Sequence, residues 1–292
     1  MLTEQQVAER HSGLGGSDAA PALGLSPYRS ALELFLEKRE QRAPSSAQLA
    51  AFRWGHLLEP VIRQEYANVT GRVVRLPQGT LRHPKHSFLV AHLDGVTDDQ
   101  RVFEAKTARS ADGWGKPGTE EVPHHYLIQV QHYLAVTGFD VADIAVLIGG
   151  SDFRIFEVPA DPELQTMIIE GELDFWRMVQ TGQPPEPDFD RTDVHELMRR
   201  LYPGTDGRTV TATEDDYHHR RVYQNALEMA KGYTLLADQT KAHLLHMMGN
   251  AARMVFKEDG MQFQRKEVKR REYVVPASSY IDARLAKIKE EA

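Results

Sequence analysis

The sequence contains no cysteine, which removes disulfides, thiolate zinc sites, iron–sulfur clusters and a thiol nucleophile together. Any metal has to sit on oxygen or imidazole. Long apolar runs are missing too. Nothing approaches the roughly 18–20 residues of a membrane span, and Met1–His11 lacks the apolar stretch of a signal peptide. The chain is therefore expected to stay in the compartment where it is made, with no membrane partner. An excess of positive charge is also absent: 35 Lys and Arg stand against 42 Asp and Glu, net −7, so bulk charge gives no nucleic-acid signal. What is present is 292 residues of ordinary globular composition, enough for one large domain or two modest ones. The basic side chains are unevenly spread. Residues 253–292 hold 10 of them against 7 acidic ones, net +3, which leaves −10 on residues 1–252.

Periodicity divides the chain. Ser12-Gly13-Leu14-Gly15-Gly16-Ser17-Asp18 reads as a loop feeding a short helix, with Ser17 or Asp18 as its N-cap. Helices are expected over Ser30–Arg42 and Ala47–Val69, the second kinked or split at Pro60 beside Glu59 and ended by Gly71. Residues 73–108 read as consecutive short strands with Asp98-Asp99 at a hairpin tip. A helix follows from Pro123 to Gly138, then a hairpin around Gly149-Gly150, then a helix over about 161–181. The fold class is α/β or α+β. Residues 183–213 look like a linker insert, and 214–292 like a mainly helical extension. Its 35-residue helix, about 52 Å long at ~1.5 Å per residue, has a stripe through Tyr223, Ala230 and Tyr233 expected to pack on its own domain rather than form a coiled coil.

The chemistry-bearing pattern lies among the strands. If 88–96 and 102–107 are arms of one hairpin, Asp94 comes near Glu104, and Glu104 and Lys106, two apart, share a face. Two carboxylates and an ammonium can hold Mg²⁺ through oxygen ligands, orient a water and offset charge on a phosphodiester. The same residues in isolation also fit a solvated hairpin with an ion pair. Their setting among Phe88, Val90, Val102 and Phe103 favours the site, because burying a carboxylate is costly unless something compensates it.

Five blocks resemble a known family: His11-Ser-Gly-Leu-Gly-Gly-Ser-Asp18 with Leu23-Gly-Leu-Ser-Pro-Tyr28, Trp54-Gly-His-Leu-Leu-Glu59, His92-Leu-Asp-Gly95, Glu104-Ala-Lys106, and Gln129-Val-Gln-His-Tyr133. Together, and in this order, they resemble the YqaJ-type viral recombinases, the phage λ exonuclease-like branch of the PD-(D/E)xK nucleases. Leu93 stands where the family name has proline. The resemblance implies a nuclease core over 1–182, a central mixed sheet flanked by helices. It implies that Asp94, Glu104 and the carbonyl of Ala105 ligate Mg²⁺, with Mn²⁺ also accepted. Glu59 would contribute to a second metal, and Lys106 would serve the water. Arg10 and Ser17 would contact a 5′-terminal phosphate, with Gln129 and Tyr133 beside them at the active site and DNA. It implies a 5′→3′ exonuclease on double-stranded DNA ends, a ring-shaped homotrimer, a phage single-strand annealing protein as partner, and the cytoplasm of a bacterial host or prophage-bearing cell. The rivals are a restriction or repair endonuclease of the same core and a nuclease-dead DNA-binding subunit.

Other features keep two readings. Tyr28-Arg29 is a turn or part of a DNA entrance, and Arg265–Arg271 is a solvated strand or a DNA-backbone contact. His124-His125 and His218-His219 read as surface residues, since adjacent rings diverge and cannot share one zinc.

Overall fold

In a computed structural model, residues 12–40, 46–268 and 283 of the chain are described, with 46–52 given as helix backbone only. They fall into two units, Met1–Tyr202 and Pro203–Ala292.

In the first unit the Gly-rich turn becomes a two-residue strand, β1 (Leu14–Gly15), which runs directly into helix α1 (Gly16–Ala22). Gly15 is the N-cap, so Ser17 and Asp18 lie inside the first turn rather than capping it. The Asp18 carboxylate accepts the Gly15 N–H at 3.2 Å, which does the capping from within the helix. Helix α2 (Ala31–Glu40) follows, started by Ser30, whose hydroxyl accepts the Glu33 N–H at 3.1 Å.

Helix α3 (Ser46–Thr70) runs unsplit through Pro60. Proline costs a helix interior ~3 kcal/mol. The buried Ile62 and Tyr66 pack on the sheet residues Phe103 and Ala145, and burial of such side chains is worth ~1.5–3 kcal/mol each. Packing outweighs the lost bond. Gly71, at φ +73°, ends the helix as expected.

Short strands follow: β2 (Val74–Arg75), β3 (Leu81–Arg82), β4 (Leu89–Ala91) and β5 (Gly95–Thr97), then the longer β6 (Val102–Ala108). Helix α4 (His124–Thr137) crosses from β6 to β7 (Val141–Ile148), which turns back into β8 (Asp152–Pro159). The five-stranded sheet has the order β2-β5-β6-β7-β8. It is mixed, because the helical crossover makes β6 and β7 parallel while the other neighbours are antiparallel. Helices cover both faces: α3 packs on the side of Phe103, and α4 on the side of Val102 and Ile144. The α/β expectation holds.

The single hairpin expected over 88–107 is two structures. Only Gly95–Val96 pairs with Val102–Phe103. Residues 89–91 instead join a second sheet, order β1-β4-β3, with β1 parallel to β4. The break falls at His92-Leu93-Asp94, where the Leu93 side chain enters the core and Asp94 turns toward β6.

Helix α5 (Pro162–Thr181) is capped by the Asp161 carboxylate, which accepts from Glu163 N and Leu164 N, both at 3.0 Å. The first part of the expected linker 183–213 is structured: helix α6 (Val194–Leu201) buries Leu197 in the main core and packs on α2. The core therefore reaches Leu201 instead of stopping at 182.

The second unit is mainly helical, as expected: it contains helix α7 (Glu214–Met248), capped by Thr213, and adds a short hairpin of β9 (Arg253–Phe256) and β10 (Met261–Gln264). Among its described residues only Met248 is buried, and Tyr223 and Tyr233 are exposed. Among the described residues nothing covers the stripe, so the intradomain packing expected for it is not seen there.

Candidate active site

The site lies where β5 stops pairing with β6. Beyond Phe103 no strand among the described residues covers that edge, and the Asp94 carboxylate takes the place of one: its Oδ2 accepts the Ala105 N–H at 2.9 Å. A strand residue turns its N–H and C=O to the same edge, so the Ala105 carbonyl faces the Asp94 side as well. Glu104 and Lys106 alternate with it and point to the α4 face. Lys106 Nζ donates to Glu104 Oε1 at 2.7 Å and to Gln129 Oε1 at 3.0 Å. It also lies 4.7 Å from the centre of the Tyr126 ring, a cation–π contact.

Glu104 is strongly perturbed. Burial, then the charge of Asp94, push its carboxyl up to about 8, against the pull of Lys106. Burial likewise raises Asp94 above the usual carboxylate range, although the Ala105 N–H and Lys106 work against it. For Lys106 burial disfavours the charge, but Glu104 against it wins and holds the ammonium above its ordinary pKa. Two crowded carboxylates and one cation make a site short of positive charge.

Gln129 and Tyr133 are buried beside Glu104. Gln129 Nε2 donates to Glu104 Oε1 at 2.7 Å and to the Tyr133 hydroxyl at 3.0 Å. One amide therefore braces both Glu104 and Lys106. The Tyr133 ring rests on the Gly-rich turn: a Cβ at Gly16 would stand 2.4 Å from its Cε1. A Cβ at Gly13 would stand 2.3 Å from the Phe88 carbonyl, where Leu14 N–H bonds at 2.7 Å. Both glycines are required by close approach.

Glu59 is bonded by Arg63 at 3.1 Å, and Arg63 also reaches the Asp94 carbonyl at 3.2 Å. Burial and the Asp94 charge raise the Glu59 carboxyl, which places it in the same field. Ser17 is exposed on the first turn of α1. Arg10 lies outside the described residues, as do Lys269–Arg271 of the basic segment. Arg29 is engaged within the fold, bound to Asp18 at 2.5 Å and Glu37 at 2.7 Å. His125 is half-buried rather than fully exposed. Its ring lies 4.0 Å from that of Tyr126, and its Nε2 is buried without a hydrogen bond among the described residues. A doublet of histidines gives no signal of which one turns inward.

Among the described residues no three His, Cys, Asp or Glu side chains are gathered closely enough to hold a metal by themselves. The fit to a divalent cation rests on one atom. Glu104 Oε1 accepts two hydrogen bonds, while its Oε2 is buried with no partner among the described residues. An orphaned carboxylate oxygen beside a second carboxylate and a free-edge carbonyl is what a hard cation satisfies, with water completing its shell. Asp94, Glu104 and the Ala105 carbonyl fit the group.

The YqaJ-like viral recombinase domain matches residues 7–140 of the chain. Over 255 residues the chain is 32% identical to the uncharacterized protein YqaJ of Bacillus subtilis (strain 168), covering 86% of this chain and 80% of that one. An alkaline exonuclease, LHK-Exo, from Laribacter hongkongensis superposes with a TM-score of 0.50 at 21% identity, over 68% of this chain and 97% of that one. Its structure in complex with dAMP gives a TM-score of 0.50 at 22% identity over the same shares. At these identities the likeness establishes the fold.

Proposed function

The chain belongs to the YqaJ-like viral recombinase family, and from that premise we propose that it is a divalent-metal-dependent deoxyribonuclease that degrades linear double-stranded DNA from its ends in phage-type recombination. The observation that carries the reading is Glu104, fixed through one oxygen by Lys106 and Gln129 with the other left to a ligand. Such an arrangement supports phosphodiester hydrolysis better than a plain ion pair.

A divalent cation, when bound, supplies the positive charge that polarises the phosphodiester and makes water a better nucleophile. Asp94, Glu104 and the Ala105 carbonyl would hold it, with Glu59 assisting a second ion. Lys106 keeps its proton, and its ammonium orients the attacking water and offsets charge growing on the phosphate. Gln129 positions Lys106 and Glu104 together, so that neither swings away when substrate enters. Mg²⁺ is the ion of choice for an oxygen set without cysteine or paired histidines, and Mn²⁺ should substitute.

The finer reading follows family resemblance. Cleavage runs 5′→3′. Arg10 and Ser17 take a 5′-terminal phosphate, supported by the exposed Ser17 on the first turn of α1. The working form is a ring trimer, partnered with a single-strand annealing protein in the host cytoplasm.

The test is Mg²⁺-dependent release of label from linear duplex, with covalently closed circular DNA alongside and EDTA as the stop. Loss of linear DNA with survival of circles is expected. Cutting of circles would replace the exonuclease with an endonuclease, and no cleavage of either would leave only a DNA-binding subunit. Initial rates on 5′-phosphorylated and 5′-hydroxyl duplexes test the pocket. Arg10→Ala and Ser17→Ala should each slow the phosphorylated end about tenfold or more, and equal wild-type rates on the two ends would remove the pocket.

A further inference from the structure

Three aromatic rings lead outward from the Lys106 ammonium. The Tyr126 ring lies 4.7 Å from Nζ, the His125 ring 4.0 Å from Tyr126, and the Tyr28 ring 5.2 Å from His125, edge to face at 89°. Trp114 supports Tyr126 from another side, with ring centres 5.5 Å apart. The outer end of the row is open: Tyr28 is 72% exposed. Its backbone is nevertheless fixed, because its N–H donates to Ser26 Oγ at 3.2 Å and its carbonyl accepts from Arg191 at 3.2 Å. Tyr28 thus stands on a held backbone with its ring largely open to solvent, joined to Lys106 through the rings of His125 and Tyr126. The second, independent observation is His125. Its Nε2 is buried and has no hydrogen-bond partner among the described residues, a state that a native polar atom seldom keeps unless a ligand completes it. Burial, then the nearby Lys106, lower the imidazole pKa, so the ring is neutral and offers a hydrogen bond rather than a charge.

We propose that Tyr28 and His125 form a nucleobase subsite, in which the Tyr28 ring stacks on a base of the strand being cut and His125 Nε2 hydrogen-bonds to the edge of that base. The inference rests on the deoxyribonuclease reading and adds to it a contact with the base, where the carboxylates, Lys106 and the Gly-rich turn address only phosphate. Stacking is indifferent to sequence, because every base has a π face, which suits an enzyme that must accept each new terminal nucleotide.

The experiment uses the full chain with Ca²⁺, an ion expected to support binding without much hydrolysis. The probes are blunt duplexes carrying 2-aminopurine as the terminal nucleotide, at the 5′ end in one and the 3′ end in another, with a dye at the far end for anisotropy. Wild type should quench the 2-aminopurine several-fold at one of the two ends. Tyr28→Ala should abolish the quenching and weaken binding about tenfold, and Tyr28→Phe should retain both. His125→Ala should weaken binding to that duplex but not to one whose terminal base has been replaced by an abasic residue. Normal anisotropy with unquenched 2-aminopurine, or equal quenching by wild type and Tyr28→Ala, overturns the subsite while leaving the nuclease reading intact. Absence of both DNA binding and Mg²⁺-dependent degradation by wild type overturns the two together. Because Tyr28→Phe keeps the ring, a loss shared by Phe and Ala would mark a folding role and also overturn the proposal.

Discussion

Glu104 holds two donors on one oxygen and, among the described residues, none on the other, so its protonation is tied to both stability and ligand binding. Its carboxyl titrates near 8, against an ordinary 4.5, chiefly because it is buried and then because Asp94 stands beside it. Between those values the folded protein keeps a proton that the unfolded chain has released, so stability should fall as pH rises through this window. Melting temperatures in EDTA from pH 5 to 9 should decline, and Glu104→Gln should flatten the decline. A slope unchanged by that substitution would place the proton elsewhere. Mg²⁺, which competes for the same oxygen, should stabilise the protein more at pH 8 than at pH 6. Asp94→Asn, Glu104→Gln and Lys106→Ala should each abolish cleavage, with Lys106→Ala keeping its metal binding. Gln129→Ala removes bonds to charged groups worth ~1.5–3 kcal/mol each, so kcat should drop about tenfold or more while KM for DNA changes little. The shared face of Glu104 and Lys106 was legible in the sequence, because residues two apart on a strand must share it, whereas Asp94 lies between strands and is brought in by its bond to the Ala105 N–H. The role of Gln129 was not legible. Its four-residue spacing to Tyr133 shows a shared helix face, but only the packing of α4 on β6 says that the face points at Glu104 rather than at solvent.

Between elements, one buried pair bears much of the register. His132 on α4 meets Glu172 on α5 at 2.7 Å, and its other nitrogen meets the Val90 carbonyl on β4 at 2.9 Å, both side chains being almost fully enclosed. A carbonyl only accepts, so Nε2 carries a proton. Burial lowers the imidazole pKa, but Glu172 more than restores it. Removing one member strands the other: His132→Leu should cost ~3–5 kcal/mol by chemical denaturation, whereas the double change His132→Leu with Glu172→Met should recover a good part of it. Equal losses would deny the coupling. Pro60 makes the opposite case. Pro60→Ala restores a backbone bond in a helix that is already continuous, and should raise the denaturation midpoint. Helix ends at Gly71, Gly138 and Gly182 were readable, since each takes a positive φ that glycine tolerates. Strands of two or three residues were not, because β1 and β4 exist through pairing with one another across more than seventy residues, and α6 exists because Leu197 finds the core.

At the scale of the whole molecule, every buried hydrophobic cluster among the described residues lies between Leu14 and Leu201. A chain ending at Tyr202 should therefore fold with a melting temperature close to that of the full chain, as calorimetry would show, and a collapse on truncation would mean that the second unit completes the core. Under the proposed function, a protein of net −7 would draw DNA with a few well-placed cations rather than a general field. The Gly-rich turn bears on their number. Its carboxylate Asp18 is bound by Arg29 at 2.5 Å and by Lys38 at 2.6 Å, and Glu37 takes the other arm of Arg29. These two cations are already neutralised inside the fold. They hold no counterion that DNA could displace, and each phosphate truly neutralised steepens the logarithmic dependence of affinity on salt by about 0.9. The turn's lysine and arginine should consequently be silent in a salt titration: the slope for duplex binding should be the same before and after Arg29→Met, even as the fold weakens.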